Sequence, residues 1–217
     1  MPTQRADSGA PARRPVGRPR QTEPSEDHLR RLAEIIETGA RVFHEHGYDS
    51  GTLEDVATAL DLRRASLYHY LRNKAQLLYF IFDRALTTSL FRLDEIAQIT
   101  EPHERLTALV AHQVQMVSGD PSLFAVFFDN RPRLDGIFQE RIAGKEREYI
   151  CRVTDMVAAL SESGELDVVD ATYAAHAFIG MTSWTYKWFD PAVDASADTV
   201  ATMLSLIGAT GRRTDSR

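Results

Sequence analysis

The sequence predicts an all-α protein, and three observations carry that expectation. Apolar residues recur at helical spacing, as in Leu29, Leu32, Ile35, Ile36, Ala40 and Phe43. No stretch shows the strict apolar–polar alternation of a half-buried strand. Prolines and glycines fall between the periodic segments, where helices must stop.

The elements follow in order. Residues 1–24 hold five of the nine prolines and almost no large apolar side chains. Such a stretch cannot bury enough surface to offset its ordering entropy, so a flexible basic arm is expected there. Ser25 is placed to cap a first helix, with Glu26 and Asp27 at the positive end of its dipole. Gly47 stands where a left-handed glycine ends it. Thr52-Leu53-Glu54-Asp55 has the form of a capping box opening a short second helix. A break at Asp61-Leu62 precedes a third short helix, expected from about Arg63 to Tyr70. Leu67 and Tyr70 should face its core side and Arg63, Arg64 and Ser66 the outside. Asn73 is placed to cap a fourth helix running through Leu77, Phe80, Ile81, Leu86 and Leu90. Further helices are expected near His103–Ser118, Ser122–Asp129, Leu134–Ser163, Ala171–Phe189 and Ser196–Gly208. The resulting division is an arm over 1–24, a small helical domain over 25–72, a larger helical domain over 73–210 and a tail over 211–217.

The net charge of −6 over 217 residues hides an asymmetry. Residues 1–76 carry 12 basic against 11 acidic residues, and the remainder 13 against 20. A neutral-to-basic front end is therefore joined to an acidic body, which excludes a binder that is cationic throughout. The first twenty residues alone carry five arginines against one aspartate. The single cysteine, Cys151, excludes a disulfide scaffold and fits a reducing compartment. Without an apolar leader after Met1, and with the longest uncharged run of the C-terminal half (Ala171 to Tyr186) too short for a membrane span, the expectation is a soluble cytoplasmic protein.

Enzyme motifs are absent: there is no glycine-rich dinucleotide loop, Walker lysine loop, nucleophile elbow or His-Glu-x-x-His. Neither a catalytic residue, a cofactor nor a metal is expected. His44 and His46 are two apart and so point different ways on a helix, where shared ligation needs i and i+4. His112 and His176 sit on apolar helices, either as hydrogen-bonded core histidines or as ligand contacts.

Two short helices joined by a tight turn, the second bearing basic and hydroxyl residues, fit a helix-turn-helix. Arg63 and Arg64 have the fork geometry for guanine edges, and Ser66 suits a base or a phosphate. Lys74, in the first turn of a helix, adds its ammonium to free backbone N–H groups that attract an anion. A single short reader makes few base contacts. Two readers about 34 Å apart on a palindrome make twice as many, so a homodimer is expected.

From Ile36 to Leu78 the sequence resembles the TetR family of bacterial transcriptional regulators. Gly47-Tyr48, Thr52-Leu53-Glu54-Asp55-Val56-Ala57, Ser66-Leu67-Tyr68-His69-Tyr70 and Lys74 carry the resemblance. It implies phosphate contacts at Thr52, Tyr68, His69 and Lys74, and base reading by Arg63 to Leu67. Asp61 stands where the family usually has Gly, yet Asp tolerates the left-handed backbone such a turn needs. Ala75 replaces a common Glu, which touches only helix capping. In the arm, Val16-Gly17-Arg18-Pro19-Arg20 resembles an AT-hook lacking its leading arginine. Arg18 and Arg20 are thus candidates for the narrow minor groove, the alternative being a basic tail with no defined contact.

The body carries more helices than DNA binding requires. His112, Met116, Phe124, Phe128, Met181, Trp184 and Trp188 are candidate ligand contacts, although helically spaced aromatics are first of all core. The family resemblance implies a small inducer between these helices and pairing through the last two long ones. Trp184-Thr185-Tyr186-Lys187-Trp188-Phe189-Asp190-Pro191 is similar to a segment of family members that respond to acyl-CoA thioesters. That similarity implies an elongated acyl ligand whose nucleotide phosphates meet Arg131, Arg133, Arg141, Lys145 or Arg147; equally, these cations suit a solvated helix face. Tyr173, Ala174, Ala177, Gly180 and Met181, with Val200, Met203, Leu204 and Ile207, are the candidate pairing surface. The sequence therefore reads as a ligand-responsive regulator, a repressor released from its operator by a hydrophobic effector such as an acyl-CoA. The rival is an all-α enzyme or binding protein that uses the same body without operator binding.

Overall fold

The computed structural model describes residues 25–209 apart from Asp135 and Pro191. The expected arm and tail, with Arg18 and Arg20, lie outside the described residues. Nine α-helices are described: α1 (Glu26–His46), α2 (Leu53–Ala59), α3 (Arg64–Leu67), α4 (Lys74–Ala97), α5 (Pro102–Gly119), α6 (Pro121–Asn130), α7 (Gly136–Glu162), α8 (Ala171–Ser183) and α9 (Ser196–Ala209). Among the described residues there is no strand, no helix long and apolar enough to cross a membrane, and no metal-binding group of His, Cys, Asp or Glu.

Local chemistry sets the helix starts. Ser25 accepts from the His28 amide at 3.3 Å, and Asn73 accepts from the Gln76 amide at 2.8 Å. Thr52 and Asp55 form a reciprocal capping box. Pro102 and Pro121 are the first residues of α5 and α6, where a missing N–H costs nothing. Asp120 caps α6 by accepting from Leu123 at 3.0 Å.

Two expected helices are shorter than their periodicity suggested. The third was expected over Arg63 to Tyr70, but α3 spans only Arg64–Leu67, with Arg63 as an extended cap residue. Beyond it the chain tightens: His69 donates to Ser66 and Tyr70 to Leu67, three residues back. The expected helix to Phe189 stops at Ser183 and continues as a 3-10 segment over Trp184–Lys187. There the buried Thr185 hydroxyl donates to the Thr182 carbonyl at 2.7 Å, competing for the acceptor that an α-helical Tyr186 amide would use.

The core has two parts. One packs α1–α3 and the first half of α4 against Leu123, Phe124 and Val126 of α6, together with Leu134 and Ile142. The other joins the second half of α4 to α5, α7, α8 and α9. Helix α4 thus spans both, with Leu77, Leu78, Ile81, Phe82 and Leu93 all fully buried. Gly39 on α1 admits this helix closely, since a Cβ there would lie 2.7 Å from a Leu77 methyl.

Candidate nucleic-acid interface and ligand cavity

Helices α2 and α3 meet through a turn built on Asp61, whose φ of 52° is left-handed. The Leu62 amide donates to Ala57 at 2.8 Å and the Asp61 amide to Thr58 at 3.1 Å. This is a Schellman closure with aspartate in the place usually taken by glycine. It orients α3 so that Leu67 is fully buried while Arg63 and Arg64 stay exposed and Ser66 half-buried.

Arg64 is held in place by its neighbours. Its Nε and Nη2 donate to the Tyr68 hydroxyl at 3.3 and 3.2 Å, and Glu54 lies 3.7 Å away. Tyr68 and His69 are exposed after α3. Thr52 opens α2, and its bonds to Asp55 hold that carboxyl below the usual carboxylate range. Lys74 opens α4. Its Nζ donates to the Asp49 carbonyl at 3.1 Å and lies 4.5 Å from the Tyr48 ring centre. Partial burial, more than any neighbouring charge, lowers its pKa. Thr52, Arg63, Arg64, Ser66, Tyr68, His69 and Lys74 therefore come from three adjacent helix starts and the turn after α3.

A cavity of about 260 Å³ lies between α4, α5, α6, α7 and α8. Met116, Phe124, Phe127 and Phe128 supply much of its apolar wall, and Leu86 and Ile150 face them. Gln113 on its wall donates to the buried Tyr149 hydroxyl, and Ser89 donates to the Ala85 carbonyl at 2.7 Å. Burial pushes the Tyr149 phenol well above its ordinary range, so it stays neutral. Glu146, also on the wall, accepts a bidentate fork from Arg131 at 2.7 and 2.8 Å. Outside the wall, Phe128 stacks on Tyr186 at 4.7 Å, and Lys187 holds Asp129 at 2.9 Å.

Of the expected ligand contacts, the structure brings Met116, Phe124 and Phe128 together on this wall. Met181 lines a second, apolar cavity of about 250 Å³ among α5, α7, α8 and α9. Trp188 borders an open cleft beside α9, and Trp184 is 62% exposed. His112 is buried, with no hydrogen-bond partner for Nε2 among the described residues, and burial together with Arg92 lowers its pKa to about 4. His176 is exposed and bonds the Thr172 carbonyl. Arg133 pairs with Asp49 and Lys145 with Asp83, whereas Arg141 and Arg147 are exposed. Sequence reasoning missed Gln113, Tyr149, Glu146 and Asp49; no local spacing marks partners that lie far apart in the chain.

The comparisons agree with both halves of this arrangement. Residues 35–79 match the family model described as "Bacterial regulatory proteins, tetR family", and residues 100–209 match "Tetracyclin repressor-like, C-terminal domain". The HTH-type transcriptional repressor KstR2 of Mycolicibacterium smegmatis is 26% identical over 184 residues, covering 82% of this chain and 87% of its own. The crystal structure of AibR in complex with isovaleryl coenzyme A and operator DNA superposes with a TM-score of 0.74 at 27% identity, covering 83% of this chain and 99% of that one. PfmR, a TetR family regulator from Thermus thermophilus, shares the fold, with a TM-score of 0.76 at 23% identity over 82% of this chain and 99% of its own. One model accounts for the helix-turn-helix and the other for α5 to α9, which supply most of the cavity wall, and together they exclude the rival enzyme reading: the protein belongs to the TetR family of DNA-binding transcriptional regulators.

Proposed function

We propose that the protein is a homodimeric repressor, released from a palindromic operator by a compact hydrophobic effector of the acyl-CoA class. The observation that carries this reading is α4 itself. The helix begins at Lys74, and Ala85, Leu86 and Ser89 on the same helix line the cavity. Leu86 lies about 18 Å along the axis from Lys74 at 1.5 Å per residue, so a displacement at the cavity is delivered to the reader by one rigid rod. The relative KstR2 is described as a repressor, and AibR was crystallised with an acyl-CoA and operator DNA.

In this reading the reader spans 25–72 and the body 73–210, flanked by an arm over 1–24 and a tail over 211–217. Arg63, Arg64 and Ser66 read base edges. Thr52, Tyr68, His69 and Lys74 hold phosphates, and Arg18 and Arg20 enter the minor groove. The exposure of Arg63, Arg64, Tyr68 and His69 supports it. Met116, Phe124 and Phe128 enclose the acyl group. A cavity of about 260 Å³ favours a short or branched acyl chain over an elongated one, since small-molecule sites commonly exceed ~300 Å³. Exposed Arg141 and Arg147 are the cations left for nucleotide phosphates.

The pairing surface is reassigned in part. Met203 is buried, and Val200, Leu204 and Ile207 pack into the chain's own second core. The outward face is instead formed by Tyr173, Ala177 and Gly180 of α8, with Leu206 of α9. Small residues there permit close approach of a second copy.

A ligand releases DNA only through unequal affinity for the two states, and a 100-fold difference supplies about 2.7 kcal/mol. Titration calorimetry with isovaleryl-CoA, a long-chain acyl-CoA, free fatty acid and CoA alone tests the reading. Saturable isovaleryl-CoA binding that lowers affinity for the upstream intergenic DNA is expected. Equal heats from CoA alone would contradict an acyl cavity.

A further inference from the structure

The 3-10 turn Arg131–Arg133, between α6 and α7, carries two arginines that grip opposite parts of the molecule. Arg131 forks onto Glu146 of the cavity wall. Across the rigid Pro132, Arg133 forks onto Asp49, both bonds at 2.6 Å. Asp49 lies in the loop between α1 and α2, and its carbonyl holds Lys74. That loop has little slack. The Gly51 amide donates to Gly47 at 2.9 Å, and a Cβ at Gly51 would lie 3.1 Å from the Phe43 ring. Thr52 follows directly.

Helix α7 itself is fastened elsewhere. Lys145 reaches Asp83 and Thr87 of α4, each at 2.6 Å, and Arg152 pairs with Asp94 near the far end of α4. Wall, turn, loop and phosphate-binding lysine thus form one contiguous chain of contacts. The turn is joined to each side by a planar, bidentate ion pair whose geometry tolerates little displacement.

We infer that this turn couples the cavity to the reader: an occupant that displaces Glu146 shifts Arg131, draws Arg133 from Asp49, and bares a carboxylate beside Lys74 and Thr52. In the paired state Arg133 neutralises Asp49, so an incoming phosphate meets net positive charge. In the unpaired state the same phosphate meets a like charge, and Lys74 loses its fixed position. The Arg133–Asp49 pair is exposed and adds little to folding stability, so its opening changes DNA affinity at small structural cost. The inference rests on the cavity being the effector site, and the test separates the two.

The first arm uses the full chain without ligand. Operator affinity and hydrogen exchange at the Gly51 amide are measured for Glu146→Gln, Arg133→Gln and the double variant. Glu146→Gln should weaken operator binding about threefold and speed exchange at Gly51. In the Arg133→Gln background it should do neither, and additive effects would overturn the coupling. Arg131→Lys, which keeps the charge and loses the fork, should reproduce Glu146→Gln; wild-type behaviour of this variant would also overturn it. The second arm adds isovaleryl-CoA. Arg133→Gln should bind it as wild type does while operator release falls by about fivefold or more. Full release by Arg133→Gln would overturn the coupling. Absence of binding by wild type would overturn the effector site instead, and the coupling would then stand or fall on the ligand-free variants.

Discussion

The caps that open the helices of the reader and the polar groups that surround the cavity are satisfied over different ranges. The helix starts at the DNA-facing end are set by partners near in sequence: Thr52 with Asp55 and Asn73 with Gln76 are three apart, and Arg64 with Tyr68 four apart, while Lys74 reaches back 25 residues to Asp49. Around the cavity and the turn after α6, local bonds are joined by far ones: Gln113 with Tyr149 is 36 apart, Lys145 with Asp83 is 62, and Arg133 with Asp49, reaching back into the reader, is 84. Short-range bonds fix the shape of a surface that must meet DNA the same way each time. Long-range bonds tie together elements whose separation an occupant can alter.

The sharpest way to break the comparison is through the core the two regions share. Phe82 is fully buried and packs on Phe127 of α6 at 4.9 Å. Phe82→Ala should cost about 3–5 kcal/mol and lower one cooperative denaturation transition seen by probes in either region. Two separate transitions would show that reader and body fold independently.

His112 confines a pH effect to the body. A histidine lowered to about 4 when folded binds fewer protons than in the unfolded chain, so stability falls as pH drops through the window from 6.5 to 4. Between pH 7 and 5 wild type should lose about 2 kcal/mol more than His112→Gln in denaturant titrations. Parallel losses would show that the imidazole finds a partner when protonated.

Gly39→Val sharpens the boundary on the reader side. The added side chain strikes Leu77, and crowding a filled core should cost about 1–2 kcal/mol, read as a lower Tm. Smallest of all, Asp61→Gly should stabilise by about 0.5 kcal/mol in the same assay, because glycine adopts the left-handed position without a Cβ penalty. A loss there would mean that the Asp61 side chain contributes a bond of its own.

The same contrast of ranges explains what the sequence revealed. Capping residues announce themselves within four positions, so Ser25, the Thr52 box, Asn73 and the left-handed Asp61 were all legible. The ends of α3 and α8 were not, because apolar periodicity continues through residues that hydrogen-bond in 3-10 fashion. Phe124 and Phe128 of α6 were legible as candidate ligand contacts, but Gln113, Tyr149 and Glu146 become one site only once α5 and α7 are packed. Asp49 carries no local signal, because its partner Arg133 lies 84 residues further along the chain.

The claim that α3 reads bases while the start of α4 holds the backbone is tested most directly by binding a randomised operator library at several salt concentrations. Lys74→Ala should weaken all sequences alike and reduce the salt slope by about 0.9 for each phosphate it no longer neutralises. Arg64→Ala should instead relax preference at one base position by about 1–3 kcal/mol. A uniform loss across the library for Arg64→Ala, with every base preference intact, would contradict the account.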